Sequence, residues 1–295
     1  MIIVNLKGGL GNQMFQYAAG LALATRNNVE LKLDLSFLEK TNIQGDFTKR
    51  KLELDVFVLT CAIASQEETG KFLERRKKLG YRVLKKISSA LIEHRYYHFD
   101  FLRYDSAFFS LGKETYLDGY FQSENYFSAI SQKVKEHFVF RKPLEGRNKE
   151  LAEKIMSSNS ISLHLRRSDY LLPDNQKLFG NICTVEYYSK AIGKMASHVK
   201  NPCFFVFSDD IEWTKKNIPI PFACEYVDHN FGKNSFQDMR LMSLCRHNII
   251  ANSSFSWWGA WLNQNSEKII IAPSTWIHDK EAVISDIIPE KWIRL

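Results

Sequence analysis

The chain opens on an apolar run at residues 2–6 that predicts a buried strand, and glycines at positions 8, 9 and 11 follow at once as a tight turn. Residues 13–25, rich in Ala and Leu, predict a helix, and residues 29–34 alternate as a second strand. A strand, loop, helix and strand in that order begin a parallel α/β sheet. Residues 45–140 are less regular and rich in aromatics such as Tyr96, Tyr97, Tyr116 and Tyr120. Most of these belong in a core, and a few are candidates for a sugar site, because aromatic faces pack against the apolar faces of pyranose rings. From about residue 148 a second α/β pattern begins, with strands predicted at 160–165, 203–208, 222–227, 248–251 and 268–272. Pro143 and Gly146 interrupt the charged stretch before it, so the expected domains are 1–145 and 146–295. A chain of 295 residues can bury two such cores. The expected fold class is therefore α/β, with two Rossmann-type domains facing across a cleft.

Composition adds little until charge is located. Hydrophobic residues at 45% and charged residues at 25% are ordinary for a soluble globular protein, and no run approaches the ~20 apolar residues of a membrane span. The first residues lack the charged leader and cleavage site of a signal peptide. Five widely spaced cysteines without a C-x-x-C pair argue against a disulfide framework or a zinc site, so a cytoplasmic setting is expected. Of the net charge of +7, all is concentrated between Lys71 and Lys86, where eight basic residues face Glu74 alone; 32 basic and 32 acidic residues remain elsewhere. The basic residues alternate with Phe72, Leu73, Leu79, Val83, Leu84 and Ile87 at nearly helical spacing. This segment, 71–87, reads either as a solvated helix face or as a peripheral contact with anionic membrane at the inner face. No nucleic-acid module accompanies it, so nucleic acid is not an expected partner.

Three motifs carry candidate chemistry. In the first, Gly8-Gly9-Leu10-Gly11-Asn12-Gln13, glycines between strand and helix allow backbone amides to approach a phosphate at a helix start. A P-loop is excluded because Asn12 follows Gly11 where Lys is required. A dinucleotide fingerprint meets Met14 where a third small residue belongs, although Asp34 stands where a ribose-binding carboxylate would. A purely structural turn stays open.

The second motif is Ser162-Leu163-His164-Leu165-Arg166-Arg167-Ser168-Asp169. Period two places Ile161, Leu163 and Leu165 on one strand face and Ser162, His164 and Arg166 on the other, with the ligand crevice expected at the strand's C-terminal end. A guanidinium fork there suits a diphosphate. An Arg–Asp ion pair closing the strand is the structural alternative for Arg167 or Asp169. The third motif spans 235–258. Asp238 lies on a predicted helix, either as a ligand acceptor or as a first-turn carboxylate favoured by the helix dipole. Asn252-Ser253-Ser254 precedes the helix of Trp257 and Trp258, where hydroxyls serve as caps or as a second phosphate cradle. No Asp-x-Asp triplet and no His/Cys/carboxylate cluster with metal spacing occurs, so no metal or other cofactor is expected and arginine must meet phosphate charge.

With those residues in view, GGLGNQMFQYA at 8–18, HLRRSDY at 164–170 and HNIIANSSFSWWGAWL at 247–262 resemble the signature regions of glycosyltransferase family 11, the α-1,2-fucosyltransferases. KLEL at 51–54 and YFQS at 120–123 stand in the expected order, and the likeness runs nearly end to end. The resemblance implies a GT-B-like fold, GDP-fucose as co-substrate, inverting transfer of fucose to O2 of a terminal β-galactose on a glycan acceptor, and no required metal. It further implies that Arg166 holds the β-phosphate, that His164 and Asp238 flank the guanosine, and that Ser254 donates to a phosphate, with Gly9, Gly11, Asn12, Gln13, Arg167 and Ser253 completing the donor site. The base that deprotonates the acceptor is expected at Asp169 or Asp174, just past the strand end. A fucosyltransferase of another linkage and a nucleotide-sugar-binding protein without turnover are the alternatives. Beside animal members, the chain looks bacterial.

Overall fold

The computed structural model describes residues 1–39, 50–74, 95–99 and 102–295. They form two compact units, Met1–Val139 and Phe140–Leu295. The division precedes the boundary read from Pro143 and Gly146. Phe140 stacks on Phe236 at 6.0 Å and Arg240 Nη1 donates to the Lys142 carbonyl at 2.6 Å, which binds these residues to the second unit.

In the first unit, β1 (Ile2–Asn5), β2 (Leu31–Asp34), β3 (Ala62–Ile63), β4 (Arg95–Phe99) and β5 (Thr115–Gly119) form a parallel sheet in the order β3-β2-β1-β5-β4. From β1 the chain runs outward to β2 and β3, then returns on the other side through β4 and β5. The connections therefore diverge between β1 and β5, and in an open α/β sheet such a switch point, at the carboxyl ends of the strands, is where ligands bind. Aromatic strands such as Arg95-Tyr-Tyr-His-Phe99 give no clean alternation, which is why the sequence pattern left this region irregular.

The second unit contains β6 (Asn159–Leu165), β7 (Pro202–Ser208), β8 (Ala223–Val227), β9 (His247–Ile249), β10 (Ile270–Ala272) and β11 (Ile293–Arg294), again parallel, in the order β11-β10-β9-β6-β7-β8. Counted within the unit this is the Rossmann order 3-2-1-4-5-6, with its switch point between β6 and β9. Ile161, Leu163 and Leu165 pack on Tyr187, Ile192 and Met195 of the helix Val185–His198. On the opposite face Phe205 and Phe207 pack with Ile155, Leu241 and Met242 from the helices Gly146–Ser157 and Phe236–Leu244. Both faces are covered, which accounts for the continuous apolar runs of these strands.

Among the described residues no helix is long and apolar enough to cross a membrane. The helix Gln66–Leu73 starts on a Ser65–Glu68 capping box. Beyond Glu74, the basic segment 71–87 lies outside the described residues.

Candidate active site

The site in the second unit is built at the carboxyl end of β6, on the switch point. The chain leaves the strand at Leu165, and Asp209, just past the end of the neighbouring β7, catches it: its carboxylate accepts the amides of Arg167 at 2.9 Å and Ser168 at 3.2 Å. Arg166 then points back over these acids. Its Nη2 donates to Asp169 at 2.5 Å and its Nη1 lies 3.4 Å from Asp209, with a quarter of the side chain exposed. Burial opposes the charge on Arg166, but Asp209 and Asp169 outweigh it and raise its pKa. The result is a permanently cationic fork whose remaining N–H groups are held in place.

His164 is 5% exposed, one position back on the strand, and packs against Phe255 at 5.9 Å. Burial, reinforced by Arg166, pushes its pKa down to about 3, so the ring is neutral. Its Nδ1 has no hydrogen-bond partner among the described residues. Arg167 turns elsewhere: its guanidinium lies over Trp213 at 4.3 Å and its Nε sits 3.5 Å from Asp210. The Arg–Asp pair at the strand end thus joins Asp169 to Arg166, while Arg167 is engaged by Trp213 and Asp210. Asp174 stands on the first turn of the helix Pro173–Phe179, 69% exposed and 3.8 Å from Lys177.

Across the switch point, β9 leads into the helix Ser254–Leu262. Asn252 is a structural clamp, donating to the carbonyls of Phe179 and Trp276. Ser253 is the N-cap residue, yet its hydroxyl makes no capping bond, so of the two roles read from the sequence the cap is not the one it fills. The hydroxyls of Ser253 and Ser254 therefore remain at a helix start. Trp257 and Trp258 are wholly buried, and Trp257 donates to the Ile287 carbonyl at 2.8 Å.

Asp238 occupies the first turn of its helix and accepts from Asn230 at 2.8 Å. Burial pushes its pKa up to about 7, against the opposing Asn230 bond. Asn230 exchanges hydrogen bonds with Asn148 at 2.9 Å, and Asn148 also meets His229 Nε2 at 3.0 Å. A desolvated carboxylate backed by an amide network is suited to a ligand edge rich in N–H donors.

The glycine loop of the first unit differs from expectation. Gly8 adopts φ +73°, a conformation that favours glycine, and the helix Leu10–Asn27 begins directly behind it. The amides of Asn12 and Gln13 are bound to the Gly9 carbonyl, and the Leu10 amide donates to Glu53 at 2.9 Å. Glu53 thus occupies the helix start where a phosphate was expected. Gln13, expected at the donor, is fully buried: its amide donates to the Gly8 and Lys51 carbonyls and accepts from the Glu53 amide. It holds the loop in place and has no surface left for a ligand. Asn12 accepts from Gln122 at 2.8 Å, Gly11 is buried within the helix, and Gly9 lies under the Arg50 side chain. Asp34 is buried, bonded by Ser36 and by Tyr116 at 2.5 Å, which removes the ribose-binding role of the dinucleotide reading.

Asp209, Asn230, Asn148 and Trp213 were not singled out from the sequence. Asp209-Asp210 directly after a predicted strand was a usable signal for the first, because strand ends on one sheet edge converge. The asparagines come together over 82 positions in sequence, and no local spacing announces that.

Residues 69–295 match the sequence model of Glycosyl transferase family 11. An Alpha-1,2-colitosyltransferase from Escherichia coli is 36% identical over 299 residues, covering 100% of this chain and 99% of that protein. The chain belongs to glycosyltransferase family 11. The mouse Galactoside 2-alpha-L-fucosyltransferase Sec1 is 23% identical, across 89% of this chain and 64% of its own length. The fucosyltransferase NodZ from Bradyrhizobium superposes with a TM-score of 0.51 at 14% identity, over 88% of this chain and 91% of NodZ. That likeness speaks for the fold, which is GT-B-like. The protein is a glycosyltransferase.

Proposed function

We propose that this glycosyltransferase transfers L-fucose from GDP-fucose, with inversion, to O2 of a terminal β-galactose, forming an α-1,2-fucoside. Arg166 carries the reading: a guanidinium at the Rossmann switch point, prepositioned by Asp169 and Asp209, with the helix start of Ser253 and Ser254 following the neighbouring strand β9. As the bond from fucose C1 to the diphosphate breaks, negative charge grows on GDP, and donors already aimed there stabilise the transition state more than the ground state. Asp238 accepts from guanine N1 and N2 hydrogens, and neutral His164 supports the nucleoside. Membership of family 11 and the named galactoside 2-alpha-L-fucosyltransferase relative support the acceptor and linkage.

Colitose, which is L-fucose without its 3-hydroxyl, is the rival donor sugar, favoured by the E. coli colitosyltransferase that matches the full chain. Incubation of GDP-fucose and GDP-colitose with lactose, followed by linkage analysis, separates the two. Turnover of GDP-fucose to a 2-linked product supports the proposal. Transfer from GDP-colitose alone replaces the donor, another linkage replaces the acceptor position, and binding without product leaves a nucleotide-sugar-binding protein. The phosphate charge is assigned to Arg166, so the same product is expected in EDTA, and a loss restored by magnesium or manganese would contradict that assignment.

A further inference from the structure

Behind Asp238, within the second unit, runs a hydrogen-bond chain whose far members have no role in the reading above. Just past β8, Asp228 pairs with Arg147 at 2.9 Å, and His229 and Asn230 both reach Asn148, in the first turn of the helix Gly146–Ser157. Asn230 Nδ2 donates to Asn148 Oδ1 at 2.9 Å, and Asn148 Nδ2 returns a bond of 2.9 Å to Asn230 Oδ1. The other hydrogen of Asn230 Nδ2 goes to Asp238 Oδ1 at 2.8 Å. His229 Nε2 sits 3.0 Å from the same Asn148 oxygen, while its Nδ1 is buried without a partner among the described residues. Asp238 Oδ2 likewise makes no hydrogen bond among the described residues.

A reciprocal amide pair has two equivalent directions, because flipping both amides keeps both of its bonds. Here the ends break the tie. In the observed direction Asn148 turns its oxygen to His229, which must carry its proton on Nε2, and Asn230 turns an N–H to Asp238, which must accept. In the flipped direction Asn148 would donate to a bare Nε2, and Asn230 would set its oxygen against Asp238, which could then be only a neutral acid. The state of His229 and the state of Asp238 are therefore coupled through two amides. Burial, then the charge of Arg147, lower the His229 pKa against Asp228 and Glu225, so the ring is neutral and holds one ring proton. Glu225 is itself paired with Lys154 at 3.0 Å. Burial raises the pKa of Asp238, and the Asn230 bond opposes it.

We propose that His229 and Asn148 are positioning residues that fix the direction of this chain, so that Asp238 meets its ligand as an acceptor and selects guanine over adenine. Their part in selection presupposes the GDP site read above. Guanine offers two hydrogens, on N1 and N2, to a carboxylate, and Asp238 can take both because Oδ1 keeps a second lone pair beside its Asn230 bond. Adenine offers N1 as an acceptor and N6 as a donor, which suits a carboxylic acid. The amide direction thus separates the two purines, and the Nε2 proton of His229 sets that direction from two residues away.

His229→Leu removes the Nε2 donor at a partly exposed position, and His229→Gln retains an N–H there. Calorimetry at pH 7 gives the GDP and ADP affinities of both variants and the parent, and NMR of the Asp238 carboxyl gives its titration midpoint in the free proteins. His229→Leu is expected to lower GDP affinity roughly threefold to tenfold, the scale of one hydrogen bond, with no matching loss for ADP. Its Asp238 midpoint moves up, because the flipped chain then favours the acid. His229→Gln returns both quantities toward the parent, which a purely structural role for the ring would not produce. An unchanged GDP-to-ADP ratio and an unchanged Asp238 midpoint in folded His229→Leu overturn the assignment. The parent alone decides as well: the 15N shifts of the His229 ring must show the Nε2–H tautomer, and the Nδ1–H tautomer overturns it. A parent that binds neither nucleotide ends the donor reading instead, and the direction of the chain then stands or falls on the tautomer and the Asp238 midpoints.

Discussion

Asp209 joins the carboxyl ends of β6 and β7 by accepting the Arg167 amide at 2.9 Å, from a residue 42 positions away in sequence. The same carboxylate lies 3.4 Å from the Arg166 guanidinium, so the course of the backbone and the aim of the cation depend on one side chain. Asp209→Asn retains one acceptor oxygen where two amides are held, and it removes a charge that steadies Arg166. Turnover is expected to fall roughly tenfold to a hundredfold, the scale of a small misplacement of a catalytic group. Steady-state kinetics with a GDP-binding isotherm check this: GDP affinity should change less than kcat, and an unchanged kcat would remove Asp209 from the account.

Asp238 carries a pH signature. Its folded pKa of about 7 stands above the ordinary value of 3.8, chiefly through burial, so the free protein holds a proton there below neutral pH. In the proposed site the Asp238 carboxylate reads guanine, hence GDP affinity should rise with pH through about 7 and level off above it. The stability effect has the opposite sense. A raised carboxylate pKa favours the folded state fully below the unfolded value, and that contribution is lost as pH climbs through about 7. Asp238→Asn is therefore expected to weaken GDP binding while melting higher than the parent at pH 8, with the difference shrinking toward pH 4. Calorimetric titration and thermal unfolding at both pH values test the pair; equal GDP affinity in parent and variant would exclude Asp238 from the site.

Gln13 is predicted to matter for folding of the first unit. Gln13→Ala strips partners from the Glu53 amide and from the Gly8 and Lys51 carbonyls, all reached by a fully buried side chain. A destabilisation of about 3 kcal/mol follows from leaving such groups unpaired. Denaturant unfolding should show it, while the donor KM of the folded enzyme stays near parental. A large rise in KM at unchanged stability would restore Gln13 to the donor site.

What the sequence made legible was mostly local. The strands at 160–165 and 203–208 and the helix before β9 were visible because buried parallel strands are short apolar runs and helices repeat with their own period. Arg166 was legible because it follows such a strand. Strands β4 and β5 were not, since β4 is aromatic on both faces, β5 mixes Tyr116 with Thr115, Asp118 and Gly119, and β5 pairs with β1, far away in sequence. The glycine loop shows a different limit: its phosphate-like geometry was readable, but Glu53, which fills the helix start, arrives from 43 positions downstream. Likewise Asp169 was visible as an acid near two arginines, and only the fold determines that it serves Arg166.

In the proposed mechanism Arg166 grips the diphosphate as charge develops on it. Arg166→Lys keeps a positive charge beside Asp169 and Asp209 but replaces the planar fork by a single flexible ammonium. Turnover at saturating GDP-fucose and lactose, measured on samples whose thermal unfolding is recorded in parallel, is the direct test. Turnover is expected to fall by roughly two to three orders of magnitude with the folded fraction unchanged; near-parental turnover in a well-folded Arg166→Lys enzyme would overturn the role of Arg166.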